Sequence, residues 1–367
     1  MLSIDFETAS TKIKQLKMTV LPDFYLDIIV DPRMSYDQLI QGIQTVYSRG
    51  GGNLLGPEAQ FIAGGNGGNV AKTLGGLGVT TTFLCETSPL GKKLVEFFLH
   101  PLGVKTLIST SGDIASSVIL EIPHDTDKHN VMFCSSGSVA NFSSDKLTPE
   151  QWRALKDSHV IAVTNAQNFK MEDLVEAILN EVSPSIIVSV DFSDLTPHLN
   201  RIEGFRERIL EHPMRPPSFI TGNETELQLL TKSPNLTPEE AIHELSLTYP
   251  EILFGLHMSN KAEVWRNGKQ KALEPCFKIS VLKATGAGDN WHAGFLVGWQ
   301  LGLAIPIATK FANAVAGYQI STGKIGSLEN IIDFMASTPC YDLTSEYKLK
   351  NHINKQNNRK ESTEKDI

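Results

Sequence analysis

The sequence lacks several features that would place a protein in a specialised class. Its four cysteines, Cys85, Cys134, Cys276 and Cys340, have no metal-type spacing, and we interpret them as reduced thiols of a cytosolic protein. No stretch approaches the roughly 20 apolar residues needed to span a bilayer. The first 17 residues carry charges instead of the apolar run of a signal peptide. We therefore expect a cytoplasmic protein without a membrane partner.

An excess of positive charge is also missing. Lys and Arg number 33 against 41 Asp and Glu, which gives a net charge of −8. Because nucleic-acid backbones are held by clustered Lys and Arg, this balance predicts no nucleic-acid partner. Hydrophobic residues make up 41% and charged residues 20%, an ordinary composition for a protein with a sizeable core. The length of 367 residues allows one large α/β domain or two modest ones.

Short β-rich runs alternate with helical stretches from about residue 68 onward. The runs are rich in Ile, Val, Thr and Phe and lie at residues 80–85, 160–164, 186–191, 218–221 and 252–258. Helical stretches lie between them at residues 69–77, 171–180 and 239–247. This alternation predicts an α/β fold with a doubly wound, mostly parallel sheet. Ligands of such sheets bind beyond the carboxyl ends of the strands.

Two regions interrupt the alternation, at about residues 24–62 and 115–136. Each contains extended runs, at 24–30, 116–122 and 131–135, and we expect them to form a small β lid over a cleft. Exposed lid edges could pair in a homodimer. The predicted organisation is an N-terminal extension over residues 1–17, one domain over 18–345 that includes the lid, and a disordered tail over 346–367, which has almost no apolar residues.

A glycine-rich turn, Thr285-Gly286-Ala287-Gly288-Asp289, lies between a predicted strand and a predicted helix, at residues 277–282 and 290–301. Glycines let the backbone pass close to a ligand, and the first turn of a helix offers free N–H donors to an anion. Such donors can stabilise the charge that develops on a transferred phosphoryl group. The turn therefore predicts an anion-binding site.

The aspartate at the end of this turn has two interpretations. A carboxylate among anion-binding donors would repel a phosphate, unless it accepts the proton of an attacking hydroxyl. Alternatively, Asp289 is a helix N-cap, for which Asp is among the best residues. The segment alone leaves both interpretations open.

Residues 285–289, followed by Trp291, Ala293 and Gly294, resemble the C-terminal signature of the ribokinase-like (pfkB) carbohydrate kinase family. That pattern is roughly D-T-x-G-A-G-D-x-F-x-A-G. Residues 64–69, Gly-Gly-Asn-Gly-Gly-Asn, are similar to the family's N-terminal signature, a G-G-x-x-x-N run at the sugar site. The resemblance covers about residues 18–335 and carries both signatures in the family's order.

The resemblance implies ATP-dependent phosphorylation of a hydroxyl on a small sugar-like substrate. It makes Asp289 the catalytic base and Gly286, Ala287 and Gly288 the anion hole. The resemblance implies a sugar, a sugar acid or a nucleoside as the acceptor, so a nucleoside kinase of the same family is one alternative. A nucleotide- or sugar-binding protein that has lost catalysis is another.

The substrate side of the predicted site comes from two segments. The N-terminal signature implies that Gly64, Gly65, Asn66 and Asn69 bind the substrate, because Asn side chains offer donors and acceptors to hydroxyl groups. The alternative is a flexible turn that caps a helix. Asp27 matches a family aspartate that accepts hydrogen bonds from substrate hydroxyls, and its alternative is a solvated charge at the end of a strand.

Weaker motifs support the nucleotide-binding and metal-binding side of the predicted site. Residues 223–226 look like the family's N-x-x-E motif, which implies that Asn223 lies near the nucleotide and that Glu226 contacts Mg²⁺ through water. ATP and Mg²⁺ are therefore the expected cofactors. Asn313 matches a position near the family's nucleotide pocket, or is a satisfied polar residue between helices.

The chain departs from the family pattern on the nucleotide side. Lys283 replaces the first aspartate of the C-terminal signature and could supply a positive charge, beside Thr285. Residues 256–264 hold His257 and Ser259 where the family has a T-x-G-x-x-G loop. We expect these four residues on the nucleotide side, with His257 either contacting phosphate or filling space.

Overall fold

The structure, a computed structural model, describes residues 6–124, 127–233, 235–282 and 285–344. Strands and helices are numbered in chain order. The strands are β1 (Lys17–Leu21), β2 (Tyr25–Asp31), β3 (Glu58–Gly64), β4 (Thr80–Glu86), β5 (Lys105–Ser109), β6 (Ala115–His124), β7 (Asp127–Ser135), β8 (Val160–Thr164), β9 (Ile187–Asp191), β10 (Phe219–Gly222), β11 (Leu253–His257), β12 (Lys261–Arg266) and β13 (Lys269–Pro275). The helices are α1 (Phe6–Gln15), α2 (Tyr36–Ser48), α3 (Asn66–Gly76), α4 (Pro89–Leu99), α5 (Pro149–Lys156), α6 (Met171–Glu181), α7 (Ile202–Phe205), α8 (Glu224–Leu230), α9 (Pro238–Thr248), α10 (Ala287–Gln300), α11 (Ile305–Thr322) and α12 (Leu328–Ser337).

The large sheet has the strand order β13-β12-β11-β10-β9-β8-β1-β4-β5 within the described residues. The strands from β5 to β11 are parallel, and β12 and β13 continue the sheet antiparallel. In the parallel register Leu21 pairs with Val163, and Asp191 pairs with both Thr164 and Thr221. The carboxyl ends of these strands therefore meet at one edge. The predicted α/β fold is confirmed.

Hydrophobic cores lie on both faces of this sheet, because strands such as β8 are buried along their whole length. One core packs α3, α10 and α11 against the sheet. Helices α10 and α11 approach closely at two glycines: a Cβ on Gly294 or Gly298 would lie 3.0 Å from the Cα of Ala312 or Ala308. This packing fixes α10, whose first turn follows the glycine-rich segment.

The lid is a second sheet, of order β3-β2-β6-β7. Asp27 pairs with Ile62 and Ser117, and Ser117 pairs with Cys134, so these side chains share one face. Because side chains alternate along a strand, Ile28 and its neighbours point to the other face. The predicted β lid is confirmed, and β3 joins it although no strand was predicted there.

Two segments differ from expectation. The prediction of a strand at residues 277–282 is wrong. Phe277 makes one antiparallel bridge with Cys340, while Val281 and Leu282 are exposed and pair with no strand among the described residues. In the predicted N-terminal extension, α1 buries Ala9 and Ile13 against the core. The domain boundaries themselves stay predictions, and residues 346–367 lie outside the described residues. Within the described part of the chain, no helix is both long and apolar enough to cross a membrane.

Candidate active site

The glycine-rich turn is held by its own backbone and by one buried asparagine. Gly286 adopts φ +83° at the N-cap of α10, a left-handed conformation that favours glycine. The backbone N–H and the Nδ2 of Asn290 both donate to the Gly286 carbonyl, at 3.0 and 2.6 Å. The Thr73 hydroxyl of α3 donates to Asn290 Oδ1 at 2.6 Å. Asn290 therefore ties the turn to α3.

Asp289 is buried and accepts hydrogen bonds from two side-chain amides. Asn66 Nδ2 donates to Oδ1 and Asn69 Nδ2 donates to Oδ2, each at 2.8 Å. Burial raises the pKa of Asp289 to about 7, and the bonds from Asn69 and Asn66 act against that rise. Gly286 is the N-cap of α10, so capping does not explain this carboxyl group. A carboxyl group that ionises near neutral pH suits a general base.

The two asparagines reach Asp289 because they begin α3 three residues apart, on one face of the helix. Gly65 precedes them with φ +81°. A Cβ on Gly64 would lie 1.8 Å from Asp27 Oδ2, so the close approach of the buried Asp27 requires glycine. The predicted substrate-side residues are thus brought to the same place as the predicted base.

A second buried carboxylate, Asp23, fixes the loops around this place. Its Oδ1 accepts from the Gly67 N–H at 2.9 Å and from the Thr164 hydroxyl. Its Oδ2 accepts from Asn165 Nδ2 at 3.0 Å. Asp23 therefore connects the start of α3 with the end of β8, while Asp27 faces the space beside Asp289. Its bonding to protein groups makes Asp23 an anchor, which the sequence alone did not indicate.

A cavity of about 180 Å³, here named the polar cavity, lies under the lid. Its lining residues are Tyr25, Asp27, Gly65, Asn66, Asn69, Ser117, Met132, Cys134, Asn165, Gln167, Thr285, Gly286 and Asp289. Thr285 was predicted on the nucleotide side, but its place at the start of the turn makes it line this cavity. Asn165 and Gln167 were missed by sequence reasoning. Their only signal was their position just after a buried strand, where parallel sheets place ligand contacts.

A second cavity, of about 460 Å³ and here named the apolar cavity, lies on the other side of the turn. Its lining residues are Asn223, Glu224, His257, Met258, Ser259, Cys276, Phe277, Ile279, Val281, Ala287, Gly288, Trp291, Asn313, Ala316, Gly317, Ile320 and Tyr341. Ala287 and Gly288 face this cavity, while Gly286 and Asp289 face the polar cavity. The turn therefore separates the two spaces.

The polar side chains of the apolar cavity are largely engaged within the protein. Asn313 accepts from Trp291 Nε1 at 2.7 Å and donates to two backbone carbonyls, at 3.2 and 3.1 Å. Its amide is thus bonded within the protein, and the residue also lines this cavity, so its place on the nucleotide side stays a prediction. Burial lowers the pKa of His257 to about 4, so its ring is neutral at pH 7. A Cβ on Gly288 would lie 2.9 Å from this ring, which packs against the turn.

Asn223 and Glu226 form a reciprocal cap at the start of α8. Asn223 Oδ1 accepts from the Glu226 N–H at 3.0 Å, and the two Glu226 oxygens accept from the Asn223 N–H and Nδ2, at 2.8 and 2.9 Å. Burial raises the pKa of Glu226. Burial, and then the charge of Glu226, raise the pKa of Asp191, at the end of β9. No group of three or more potential metal-ligating residues occurs within the described ranges.

Beneath this carboxylate pair lies a buried histidine, His292. Its Nε2 is 2.6 Å from the Ser189 hydroxyl, and its Nδ1 is 3.7 Å from Asp191 Oδ2. Burial lowers the pKa of His292 to about 3, so the ring is neutral. Neither Asp191 nor His292 was predicted as a site residue. Lys283, predicted on the nucleotide side, lies outside the described residues.

A comparison with protein families matches residues 34–330 to the pfkB family carbohydrate kinase model. Ribokinase of Bacillus subtilis (strain 168) is 31% identical over 103 residues, which is 28% of this chain and 33% of that protein. The alignment thus spans about a third of the length of that relative. The 5-dehydro-2-deoxygluconokinase of Lacticaseibacillus casei is 24% identical over 276 residues, 72% of this chain and 81% of that protein.

Among solved structures, ribokinase of Arabidopsis thaliana complexed with ribose and ATP superposes with a TM-score of 0.66 at 16% identity. The match covers 87% of this chain and 98% of that one. At 16% identity, this similarity shows a shared fold and nothing more. The fold and the family match together define a small-molecule kinase. The chain belongs to the pfkB family of carbohydrate kinases, and the resemblance inferred from its two signatures is confirmed.

Proposed function

We propose that this protein transfers a phosphoryl group from ATP to a hydroxyl group of a small, uncharged sugar, with Asp289 as the base. The observation that supports this most is the placement of Asp289. Its buried carboxyl group faces the polar cavity at one end of a turn whose middle faces the apolar cavity. A base, an anion-binding turn and two separate spaces are what in-line transfer between two bound substrates requires.

The polar cavity supports a sugar as the acceptor. Its described lining carries amides, hydroxyls and two carboxyl groups, and no Lys or Arg. An anionic acceptor would face Asp27 and Asp289 without a described cation in the lining, so a sugar acid is disfavoured. The cavity has less than half the volume of the apolar one, 180 against 460 Å³. This size favours a monosaccharide over a nucleoside, the alternative acceptor in this family.

In the proposed reaction the ionised Asp289 accepts the proton of the acceptor hydroxyl while the hydroxyl oxygen attacks the γ-phosphorus of ATP. The bond from the γ-phosphorus to the β–γ bridging oxygen breaks, and ADP leaves on the opposite side. Asn66 and Asn69 hold the two carboxylate oxygens at 2.8 Å each, which fixes the base in one orientation. The backbone N–H groups of Ala287 and Gly288, in the first turn of α10, are positioned to stabilise charge on the transferred group.

The residues of the apolar cavity fit ATP. A volume of about 460 Å³ lies in the usual range of ligand sites, roughly 300–1,000 Å³. Trp291 and Phe277 offer apolar surface for a base, and the turn lies at the end where phosphates would meet the acceptor. We assign Asn223, His257 and Ser259 to this nucleotide side, with His257 acting as a neutral ring.

The carboxyl groups of Asp191 and Glu226 fit Mg²⁺ held through water. Asp191 is buried and Glu226 is half-buried, both have a raised pKa, and a hard cation would relieve the repulsion between them. Since both Glu226 oxygens already accept from Asn223, direct ligation is less suited than contact through water. Mg²⁺, when bound with ATP, would neutralise phosphate charge.

The test is an ADP-release screen of neutral monosaccharides, sugar acids and nucleosides, each with ATP and Mg²⁺. The Asp289→Asn protein provides the background. We expect turnover with a neutral monosaccharide and a decrease of about 10²–10⁴-fold in the variant, the usual contribution of a positioned base. Nucleotide binding without turnover of any acceptor would instead support a binding protein that has lost catalysis.

We also propose that two copies of the chain associate through the lid. On the face that points away from the polar cavity, Phe61, Ile28, Val118 and Phe133 form one apolar row across the four strands. Phe61 and Phe133, at its two ends, are 63% and 62% exposed. A Phe133→Asp variant should be monomeric in light scattering while the unmodified protein is a dimer. A monomeric unmodified protein would contradict the proposal.

A further inference from the structure

One amide, that of Gln167, connects the lid to the core at the rim of the polar cavity. Its Oε1 accepts from the Tyr25 hydroxyl at 2.7 Å and from the Ser136 hydroxyl at 3.2 Å. Tyr25 begins β2 and Ser136 directly follows β7, so one donor lies in a lid strand and the other at the end of a second one. Gln167 itself belongs to the loop after β8, in the core.

The loop that carries Gln167 is rigidly held. Asn165 adopts φ +74°, a strained conformation that the surroundings must enforce. Its Oδ1 accepts from the Gln167 N–H at 2.9 Å and its Nδ2 donates to Asp23. Arg201 donates to the carbonyls of Ala166 and Asn168, at 2.6 and 3.0 Å. The side chain of Gln167 therefore projects from a backbone segment that is fixed in position.

The other end of this amide is available to a ligand. Within the described residues, Gln167 Nε2 donates to no protein group, although the side chain lines the polar cavity. An amide nitrogen has two hydrogens to donate. An acceptor hydroxyl in the cavity would satisfy one of them, while Oε1 stays bonded to the lid.

We propose that Gln167 is a positioning residue that couples acceptor binding to closure of the lid. The same amide bonds the lid through its oxygen and the acceptor through its nitrogen, so each contact orients the amide for the other. Closure would exclude water from the site during transfer. This inference rests on the proposed function, since it requires an acceptor in the polar cavity.

The test compares Gln167→Leu, Gln167→Glu and Tyr25→Phe on the acceptor found by the screen. Gln167→Leu removes both contacts and should raise the KM of the acceptor about 5- to 20-fold, the usual effect of one or two neutral hydrogen bonds. The kcat and the KM of ATP should change less than about threefold. Gln167→Glu keeps an oxygen for Tyr25 and Ser136 and should have an intermediate KM. Gln60→Leu, a substitution of an exposed lid glutamine, is the control and should leave the KM unchanged.

The variants Tyr25→Phe and Tyr25→Phe/Gln167→Leu test whether the lid contact acts on the acceptor through Gln167. Coupling predicts that Tyr25→Phe alone raises the KM of the acceptor, and that the double variant has the KM of Gln167→Leu alone. A separate contact of Tyr25 with the acceptor predicts the product of the two single changes, and an unchanged KM in Tyr25→Phe would also contradict coupling. Such a product, or a KM in Gln167→Leu that matches the unmodified protein, would overturn the inference. Either result leaves the proposed function intact if turnover still depends on Asp289. Absence of turnover with every acceptor would instead contradict the proposed function.

Discussion

The two cavities on either side of the glycine-rich turn are built by different means. In the polar cavity, hydrogen bonds connect side chains from the lid, the loop after β8, the start of α3 and the turn. In the apolar cavity, packing dominates: the ring of His257 lies against Gly288, and Trp291 stacks on Phe295 with ring centroids 5.4 Å apart. Its asparagines are already bonded within the protein.

The difference predicts which cavity would select among ligands in the proposed reaction. Polar groups fixed in position reject a ligand that leaves them unpaired, so a small displacement in the polar cavity should have a large effect. Apolar contacts and backbone N–H groups are spread over many residues, so single substitutions in the apolar cavity should have a small effect. The predictions below test this contrast.

The largest effect in this comparison is expected from Gly64→Ala. The Cβ that this substitution adds at position 64 would lie 1.8 Å from Asp27 Oδ2, so the Asp27 carboxylate must move. Misplacement of about 1 Å lowers kcat/KM roughly 10²-fold, and we expect that loss for the acceptor with unchanged ATP affinity. Steady-state kinetics and a thermal melt provide the measurement.

Gly204→Ala is the matched control, because its Cβ would meet only Glu172 Oε1, at 3.6 Å. It should retain the kinetics of the unmodified protein. A Gly64→Ala protein with normal acceptor kinetics would show that the position of Asp27 does not matter.

A second prediction concerns pH. Because burial raises the pKa of Asp289 to about 7 and the base must be ionised, kcat/KM should rise with pH and level off above 7. Below the pKa it should fall about tenfold per pH unit. The bond from Asn69 favours the ionised form, so Asn69→Ala should shift the midpoint to higher pH. A flat profile between pH 5.5 and 8.5 would contradict the assignment.

The smallest effect is expected from His257→Gln in the apolar cavity. The ring is neutral, since burial lowers its pKa to about 4, so no charge is lost. We expect the KM of ATP to rise less than about tenfold, the limit for a neutral hydrogen bond, and kcat to change little. The exposed His100→Gln is the control. A 100-fold loss would mean that the two cavities do not differ as described.

The sequence predicted much of the fold because its signals were local. The β-rich run at residues 160–164 forms β8, and the helical stretch predicted at residues 239–247 lies within α9. Residues 277–282 have the composition of a strand but no partner strand beside them, and pairing cannot be predicted from composition. The helix α1 was not predicted, because its few apolar residues are stabilised by contact with the core and not by a pattern within the segment.

The sequence predicted those residues of the candidate site that belong to a recognisable motif. The signatures led to Asp289, Asn66 and Asn69, and the structure brings these three together. Asn290 and Gln167 have no motif, since their roles arise from contacts with residues more than 130 positions away in the sequence, such as Thr73 and Tyr25.

The central claim is that Asp289 takes the proton of the acceptor. It is tested most directly by single-turnover phosphoryl transfer with both substrates saturating, in the unmodified protein, in Asp289→Asn and in the exposed Asp333→Asn as control. We predict a rate about 10²–10⁴-fold lower in Asp289→Asn alone, with ATP affinity preserved. A rate in Asp289→Asn within tenfold of the unmodified protein would contradict the claim.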